Sequence, residues 1–591
     1  MHHRLILAGL AATGGLFTTA FLQVAVAAAD TSVAADVVSA TGADAFTIGG
    51  YTFDPFTSAG EGFAPVTTLS GASPLLELGG TAPGGGALAQ QEFEIFSPST
   101  GTDLGSINTG ENVTSLLGLT NTEFTVLSDD AADGGSASDL PGVGSVYDAF
   151  NFGNGYENIY TAIPGLDGAN DSVTDTLVTP YGDINLDSLF GNIDAAAALN
   201  PGDAFTGLQA GDNAIGSDAF SLGNFTFDPF TSGGAEGFAP LDSLTSAPPL
   251  LNIGGGFLLG SPLATQDLTV YTGSGSSATD IGTINAGENV TNLLGLTNTE
   301  LVVQGVTAAD GADASSLPTV GSVYDALNLG NGYENVYIDI PGVDGANDSV
   351  TDTLVTPFGN VNLDSLFGDV DAAAPLQPGD AFTGLETAGI ANAPDAFTIG
   401  GTTFDPVSAT GVEGFTPVDP LIDAPPLLAI GGGTPDFGGG LILALAPQDF
   451  NIYDSSGTEV GSIVGNEDVT NLLGLTNTEF TVSTVTAAAG ESGSSALPTL
   501  GSVYDVFNLG GIENVYTAIA GLDGGADTIT DTLVTPFGNV DLSDLFSGVD
   551  AVLQLNPGDA FGAGLDVATS AASEAGAGAA TAIDPLAFLG F

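Results

Sequence analysis

The sequence predicts an all-β protein of three tandem modules, each sandwich-like or jelly-roll-like and about 177 residues long. Two observations predict this fold. Short phrases recur three times at nearly constant spacing. Between them, runs rich in Val, Ile, Phe, Tyr and Thr alternate with turns rich in Gly and Pro, which is typical of sandwiches and barrels. A parallel β-helix is the alternative that this pattern leaves open.

The repeat is defined by phrases that share their order in all three copies. Gly-Leu-Thr-Asn-Thr-Glu begins at 118, 295 and 474, Thr-Asp-Thr-Leu-Val-Thr-Pro at 174, 351 and 530, and Pro-Gly-Asp at 201, 378 and 557. The period exceeds the about 20–50 residues of solenoid units, so each copy is expected to be a domain. We predict β-modules at 44–208, 218–385 and 395–565, followed by a small-residue tail at 566–591.

Strands can be predicted one by one in copy 1. Runs at 145–152 and 156–163 flank Gly-Asn-Gly, which indicates a hairpin. Residues 176–186 predict a strand, a turn and a second strand. Glu92-Phe-Glu-Ile-Phe96 alternates polar and apolar residues as a half-buried strand does.

Three short segments predict something other than a regular strand. Residues 113–117 and 186–190 could each form one helical turn. In Phe53-Asp-Pro-Phe56, the phenylalanines are predicted to lie in the core while Asp-Pro makes a turn.

Residues 1–29 have the pattern of a secretory signal, with a short basic start, an apolar middle and small residues before Asp30. We therefore expect a signal peptide at 1–29, a linker at 30–43, and a secreted, extracellular or cell-envelope location. The chain has no cysteine, so neither disulfides nor thiolate metal sites can form.

Charge excludes many functions. Arg4 is the only Lys or Arg, His2 and His3 are the only histidines, and 71 residues are Asp or Glu. Beyond residue 29 there is no base for a Ser-His-Asp or Cys-His nucleophile, no lysine for a phosphate loop and no histidine for zinc. Nucleic acid and anionic membrane surfaces would be repelled. We predict that the protein is not an enzyme and has no resident cofactor.

The chain can nevertheless bury a core, because 43% of its residues are apolar and its mean hydropathy is +0.31. Its carboxylates must be solvated, hydrogen-bonded, protonated or bound to cations. Cations are accordingly expected among its partners.

One acidic loop in each copy suggests a calcium site. Ca²⁺ takes about six to eight oxygen ligands and tolerates irregular geometry. The alternative is a solvated loop whose Asp and Asn residues make turns. The candidate ligands are Asp167, Asn170, Asp171 and Asp175; Asp344, Asn347, Asp348 and Asp352; and Asp523, Asp527 and Asp531.

The Gly/Ala-rich, lysine-poor composition, with phrases such as Thr-Leu-Val-Thr-Pro-Phe-Gly-Asn at 353–360, resembles proteins exported by mycobacteria, of which the PE and PPE families are the best known. Those families begin with an all-helical domain instead of a signal like residues 1–29. The resemblance implies a cell-envelope or secreted protein and carries over no functional residue.

These observations favour a secreted or cell-surface structural or interaction protein with an unknown cell-envelope or protein partner. Whether its function depends on cations is left open by the sequence. The alternative from another class is a Ca²⁺-dependent protein that binds or hydrolyses carbohydrate. Two carboxyls about 5–10 Å apart in an aromatic-lined cleft would favour that alternative.

Overall fold

A computed structural model of the chain shows one curled antiparallel sheet in each copy of the repeat, which confirms the prediction of an all-β protein of three modules. Every strand pair among the described residues is antiparallel, so the alternative of a parallel β-helix is wrong. No helix among these residues has the length and apolar character needed to cross a bilayer. The structure describes residues 42, 44–57, 60–66, 68–72, 75–80, 89–153, 155–164, 172–186, 199–209, 215–231, 233–241, 243–247, 250–255, 264–273, 277–342, 349–363, 376–385, 395–408, 411–418, 420–424, 427–432, 446–488, 497–520, 528–541 and 555–561.

The strands follow one another in the same order in each copy. Copy 1 contains β1 Phe46–Ile48, β2 Tyr51–Thr57, β3 Gly60–Glu61, β4 Thr68–Ala72, β5 Leu76–Gly79, β6 Ala89–Phe96, β7 Asp103–Leu116, β8 Leu119–Ala131, β9 Val146–Gly153, β10 Tyr156–Ile163, β11 Ser172–Val178 and β12 Ile184–Asn185. Copy 2 contains β13 Phe220–Leu222, β14 Phe225–Phe230, β15 Ser243–Ala247, β16 Leu251–Gly254, β17 Ala264–Thr272, β18 Thr279–Leu293, β19 Leu296–Ala308, β20 Val323–Asn328, β21 Glu334–Ile340, β22 Ser349–Val355 and β23 Val361–Asn362. Copy 3 contains β24 Phe397–Ile399, β25 Thr402–Val407, β26 Pro420–Ala424, β27 Leu428–Gly431, β28 Ala446–Tyr453, β29 Glu459–Leu472, β30 Leu475–Ala487, β31 Val503–Asn508, β32 Glu513–Ile519, β33 Thr528–Val534 and β34 Val540–Asp541. Short 3₁₀ turns lie at Ala137–Asp139, Pro201–Phe205, Ala314–Ser316, Pro378–Phe382 and Pro557–Ala560.

Each sheet is mainly a meander, in which chain neighbours are also sheet neighbours. In copy 1 the order is β1-β2-β6-β7-β8-β9-β10-β11-β12, and β5 pairs with both β4 and the end of β7. The strand β7 therefore serves two neighbours along its length, β6 beside its first part and β5 beside its last.

The predicted hairpin is confirmed as β9 and β10, and the predicted strand–turn–strand at 176–186 as β11 and β12. The helical turn predicted at 113–117 is wrong, because Val113–Leu116 completes the long strand β7 and pairs with β5. Only Leu186 of the turn predicted at 186–190 lies within the described residues.

The phenylalanine prediction at Phe53 is confirmed, since its side chain is fully buried. The predicted Asp-Pro turn is wrong. Asp54 and Pro55 continue strand β2, opposite β6. Proline is tolerated there because the partner strand β1 ends at the level of Phe53, which leaves that side of β2 without a continuous ladder.

Each sheet buries both of its faces. One face encloses the module's own core, which in copy 1 includes Phe53, Phe93 and Phe124. The other face, here called the axis face, contributes leucines and phenylalanines to a single core shared by all three copies. The shared core is formed by Leu75, Leu76, Leu78, Leu116, Phe150, Leu250, Leu251, Ile253, Leu293, Leu327, Leu427, Leu428, Ile430, Leu472 and Phe507.

A closing segment at the end of each copy packs on the next sheet. The three closing segments, 199–205, 376–382 and 555–561, follow strands β12, β23 and β34 in sequence. The first inserts Phe205 between Phe220 and Phe238 of copy 2, with ring centroids 4.0 and 5.5 Å away. The second inserts Phe382 into copy 3 in the same way.

The third closing segment returns to copy 1 and completes a ring. Phe561 stacks on Phe46 at 3.9 Å, and Leu555 forms a β-bridge with Val66. Lateral contacts recur in the same cyclic sense, between β15 and β7, β26 and β18, and β4 and β29. The modules are therefore related by pseudo-threefold symmetry about the shared core, and the packing unit is offset from the sequence repeat by one closing segment.

Candidate functional site

The described members of the predicted calcium loops lie inside the sheets. Asp175, Asp352 and Asp531 are at most 2% exposed. Each accepts a 2.6 Å hydrogen bond from an asparagine side chain on the adjacent strand, namely Asn158, Asn335 and Asn514. The other eight candidate ligands lie outside the described residues: Asp167, Asn170, Asp171, Asp344, Asn347, Asp348, Asp523 and Asp527. A calcium site in these loops thus stays a prediction.

Asp175 belongs to a row of polar side chains that crosses the axis face. In copy 1 the row consists of Asn112, Glu123, Asp148, Tyr160 and Asp175, which are direct cross-strand partners on β7 to β11. The row borders the shared apolar core, because Phe150 lies two residues from Asp148 on the same strand. Carboxyl groups therefore line the place where the modules meet.

Burial controls the protonation of this row. Desolvation raises the pKa of Asp148 well above its usual range, and the charge of Glu123 raises it further. The 2.8 Å hydrogen bond that Asn121 donates to Asp148 opposes this shift only in part. Desolvation likewise raises the pKa of Asp531 to about 6. Burial thus shifts the titration of these carboxyls beside the shared core to higher pH.

A second set of carboxyls is buried on the opposite face. Glu111, Glu288 and Glu467 occupy equivalent positions in the three copies and are at most 1% exposed. Among the described residues, no hydrogen-bond partner contacts either carboxyl oxygen of Glu111 or of Glu288. Desolvation raises the pKa of each of these two residues to about 8, and it raises the pKa of Glu467 well above the usual range.

These glutamates were not predicted as special residues. Their sequence signal is a glutamate two residues before Val113, Val290 and Val469, in an otherwise apolar alternation. Among the described parts of the chain, no three acidic side chains converge on a position that could hold a metal ion. The raised pKa values favour the protonated form of these buried glutamates.

Three aromatic side chains stand almost free in solvent. Tyr181, Phe358 and Phe537 are 88%, 91% and 100% exposed, and they occupy the same turn in each copy. We call them the aromatic tips. Large aromatic residues are normally at least partly buried, so full exposure at three equivalent positions is a feature to be explained.

Each tip is held by a rigid turn. In copy 1, Thr179 Oγ1 accepts from the Tyr181 amide at 3.1 Å and donates to the Gly182 carbonyl at 2.7 Å. The Gly182 amide donates to the Thr179 carbonyl at 3.0 Å. Gly182 has φ of +121°, a conformation that glycine adopts without strain. Hydrogen bonds recur at both other tips with the same geometry. These hydrogen bonds therefore fix the backbone from which each ring projects.

The aromatic tips share one end of the ring with other apolar residues that are at least partly exposed. In an antiparallel meander, alternate turns lie at the same end of the sheet. The turns β7–β8, β9–β10 and β11–β12 thus place Leu117, Tyr156 and Tyr181 together, and the pseudo-threefold symmetry repeats this grouping. The apolar end consists of Leu117, Leu294, Leu473, Tyr156, Tyr333, Ile512, Tyr181, Phe358 and Phe537.

The leucines of the apolar end are in a strained conformation. Leu117, Leu294 and Leu473 all have φ of +51°, in a two-residue turn where Asn or Gly is usual. A non-glycine residue in this region costs on the order of 1 kcal/mol or more. Leu117 and Leu294 are 38% and 42% exposed, so burial does not fully offset the strain. Leu473 packs against the shared core, whereas Leu117 and Leu294 leave apolar surface in solvent at this end.

Comparison with known protein families, characterised proteins and solved structures finds no match to this chain. The fold and the apolar end define its class directly: an acidic, pseudo-threefold ring of three curled β-sheets that presents one apolar, aromatic-tipped end.

Proposed function

We propose that the protein is a secreted or cell-envelope interaction protein that docks through its apolar end, and that it is not an enzyme. The three aromatic tips are the observation that carries this proposal. Burying one exposed Phe side chain on a partner contributes about 1.5–3 kcal/mol. The fixed turns reduce the backbone entropy that would be lost on binding, since the turn that carries each ring is already ordered.

Threefold presentation multiplies the effect. A partner surface that engages one tip holds the other two at high effective concentration, and avidity of this kind strengthens binding by about 10²–10⁴. Regularly repeated sites in a cell envelope would match such a trivalent ligand. The partner is expected to offer apolar pockets with a neutral or basic rim, because the chain beyond residue 29 carries no cationic side chain.

Removal of the three tips is expected to abolish docking without loss of folding. The variant Tyr181→Ser, Phe358→Ser and Phe537→Ser should sediment with isolated envelopes of the producing organism at least about 100-fold more weakly than the unaltered protein, given the avidity argument. Its melting temperature should be unchanged, because the replaced rings make no buried contact. Sedimentation of labelled protein and calorimetry measure the two quantities.

A second triple variant provides the matched control. Val143, Val320 and Leu500 are 55%, 52% and 64% exposed at equivalent positions near the opposite end of strands β9, β20 and β31. Their replacement by serine should leave envelope binding intact. Equal losses in both variants, or no binding by the unaltered protein, would refute docking through the apolar end. Competition by purified envelope polysaccharide would instead favour the carbohydrate-binding alternative.

The calcium hypothesis has its own test. Millimolar Ca²⁺ should raise the melting temperature beyond NaCl of equal ionic strength if the loops at 167–171, 344–348 and 523–527 bind the ion. Equal shifts in the two salts would assign the whole effect to screening of the carboxylates.

A further inference from the structure

The joint between copy 3 and copy 1 differs from the other two joints of the ring. Copies 1 and 2, and copies 2 and 3, are joined by a continuous chain as well as by a closing segment. Copy 3 meets copy 1 only through non-covalent contacts, of which the closing segment 555–561 is the central part. Copies 3 and 1 are not consecutive in the chain, so they can move apart freely once their non-covalent contacts break.

The closing segment 555–561 binds copy 1 through backbone and side-chain contacts. The Val66 amide donates to the Leu555 carbonyl at 2.7 Å, and Thr122 Oγ1 donates to the Pro557 carbonyl at 2.9 Å. Asn151 Nδ2 donates to the Asp559 carbonyl at 2.9 Å. Phe561 fills an aromatic groove, where it stacks on Phe46. The mode is the addition of a short extended segment with a side-chain anchor.

The segments themselves are interchangeable in sequence. Residues 199–205 and 555–561 both read Leu-Asn-Pro-Gly-Asp-Ala-Phe, and 376–382 differs only by Gln377. The links that separate them from the last strand of their sheets, 186–198, 363–375 and 542–554, are equal in length. Nothing in the segments selects one groove over another, so pairing within the ring is maintained by proximity rather than by recognition.

The joint between copy 3 and copy 1 also brings together acidic side chains that the other two joints lack. Glu77 of copy 1 faces Asp505 of copy 3, while the residues equivalent to Glu77 in the other copies are Asn252 and Ala429. Asp468, in the same row as Asp505, replaces Asn112 and Asn289.

The groups that face Asp505 are all acidic or neutral. They are the carboxyls of Glu77, Asp531 and Asp468, the cross-strand partners Glu479 and Tyr516, and the amide of Asn477, which partly opposes the rise in the pKa of Asp505. Desolvation raises the pKa of Asp505 well above its usual range and raises the pKa of Glu77 to about 7. Closure of this joint takes up protons, so it weakens as pH rises towards neutrality and above.

We propose that the closing segment 555–561 exchanges between copies of the protein, leaving its own copy 1 and inserting into copy 1 of a second molecule. Each opened molecule then offers a donor at one end and an acceptor groove at the other. Such a head-to-tail contact extends into a linear array unless it closes on itself. The interaction surface is the groove of Phe46, Phe63, Thr122 and Asn151, and its partner is residues 555–561 of another copy.

A disulfide can record which molecule supplies the segment, because the chain contains no cysteine. Val66 and Leu555 are β-bridge partners, so the variant Val66→Cys with Leu555→Cys can form one cross-link within a ring or between molecules. The purified chain is held at about 100 µM and pH 8.5, returned to pH 6 and oxidised, since exchange is concentration-dependent. We expect a ladder of covalent dimers and larger multiples, with single rings after the same treatment at about 1 µM.

The chain offers a matched control at a continuous joint. Leu199 and Leu241 form the equivalent bridge between copies 1 and 2. The variant Leu199→Cys with Leu241→Cys should give only intramolecular cross-links under all conditions. Exclusively monomeric cross-linked product from Val66→Cys with Leu555→Cys at high concentration would overturn the proposal.

Light scattering and a second double variant test the exchange independently of disulfide formation. If neither cysteine pair oxidises, light scattering of the unaltered chain after the same treatment decides, and a monomer mass alone would overturn exchange. The variant Glu77→Asn with Asp468→Asn should reduce the multimer fraction at pH 8.5 by about tenfold, which corresponds to about 1.4 kcal/mol. An unchanged fraction would remove the acidic pair as the cause of opening.

Discussion

Replacement of Glu111, Glu288 and Glu467 by glutamine is expected to make the protein more stable at pH 8.5 and less stable at pH 5. These glutamates are almost fully buried, and desolvation raises the pKa of the first two to about 8 from an ordinary value of 4.5. Glutamine keeps the size of the side chain and removes its titration.

The sign of the effect follows from proton binding. Below about pH 4.5 both the folded and the unfolded chain hold these glutamates protonated. As pH rises, the unfolded chain ionises first, while the folded chain keeps its protons until about pH 8. Stability therefore falls through this interval, by about 1.4 kcal/mol per pH unit and residue. Each of Glu111 and Glu288 would cost on the order of 4 kcal/mol by pH 8, and glutamine would abolish this loss.

Glutamine has its own cost at low pH. Its amide adds buried N–H donors where the described residues offer no acceptor to Glu111 or Glu288, and each unsatisfied group costs about 1–3 kcal/mol. The curves of melting temperature against pH for the variant and the unaltered protein should therefore cross between pH 5 and pH 8.5. Calorimetric scans across this range would measure the crossing.

A control separates burial from net charge. Glu92, Asp310 and Glu459 are exposed carboxylates, one in each copy. Their replacement by Gln, Asn and Gln removes the same formal charge but should shift the curve only slightly, through reduced repulsion. Equal effects from the buried and the exposed variants would assign the pH dependence to the overall charge of the chain instead of to desolvation.

The fold was predictable because its determinants are local and repeated. Gly-Asn-Gly between two strand-like runs specified the β9–β10 hairpin, and the alternation at Glu92–Phe96 specified part of β6. The Asp-Pro turn and the helical turn at 113–117 were wrong because sheet pairing overrode local propensity. The five residues 113–117 do not reveal that the distant strand β5 pairs with them.

The site was predictable only in part. Asp175 was chosen as a loop ligand because it follows a run of Asp and Asn residues, yet strand register turns it inward beside Asn158. The tips carried a usable signal in the thrice-repeated Thr-Pro-aromatic-Gly turn. Their exposure could not be predicted, because burial of an aromatic residue depends on what the rest of the chain places over it.

The ring was beyond sequence reasoning for a related physical reason. A repeat of this spacing is consistent with three independent domains as well as with a closed ring of modules. The distinction lies in which groove Phe205, Phe382 and Phe561 fill, and the near-identical sequences of the three closing segments do not specify that choice. Whether the modules form a ring depends on the length of chain between the segments and on the shared leucine core. The effect of both is known only once the folded structure is known.

A fragment cut along the packing unit is expected to be far more stable than one cut along the sequence repeat. Residues 197–375 contain the copy 2 sheet together with the closing segment 199–205, which follows the copy 1 sheet in sequence but packs on copy 2. Residues 218–385 contain the same sheet but carry the segment 376–382, which belongs in the groove of copy 3. At about 1 µM, we expect the first fragment to melt at least about 10 °C above the second.

The size of this difference follows from the groove. Phe205 is 1% exposed and stacks on Phe220 and Phe238. Loss of a buried phenylalanine side chain costs about 3–5 kcal/mol, and each kcal/mol lowers the melting temperature of a domain of this size by about 2–4 °C. Thr299 Oγ1 would also lose its 2.9 Å hydrogen bond to the Pro201 carbonyl.

Concentration and a point variant separate the cause from a general effect of trimming. In 218–385 the empty groove can be filled by the segment of another fragment, so its melting temperature should rise steeply with concentration. The fragment 197–375 with Phe205→Ala should lose most of the advantage. Melting temperatures of 197–375 and 218–385 that coincide at low concentration would show that the closing segments contribute little, and that the shared leucine core alone holds the modules together.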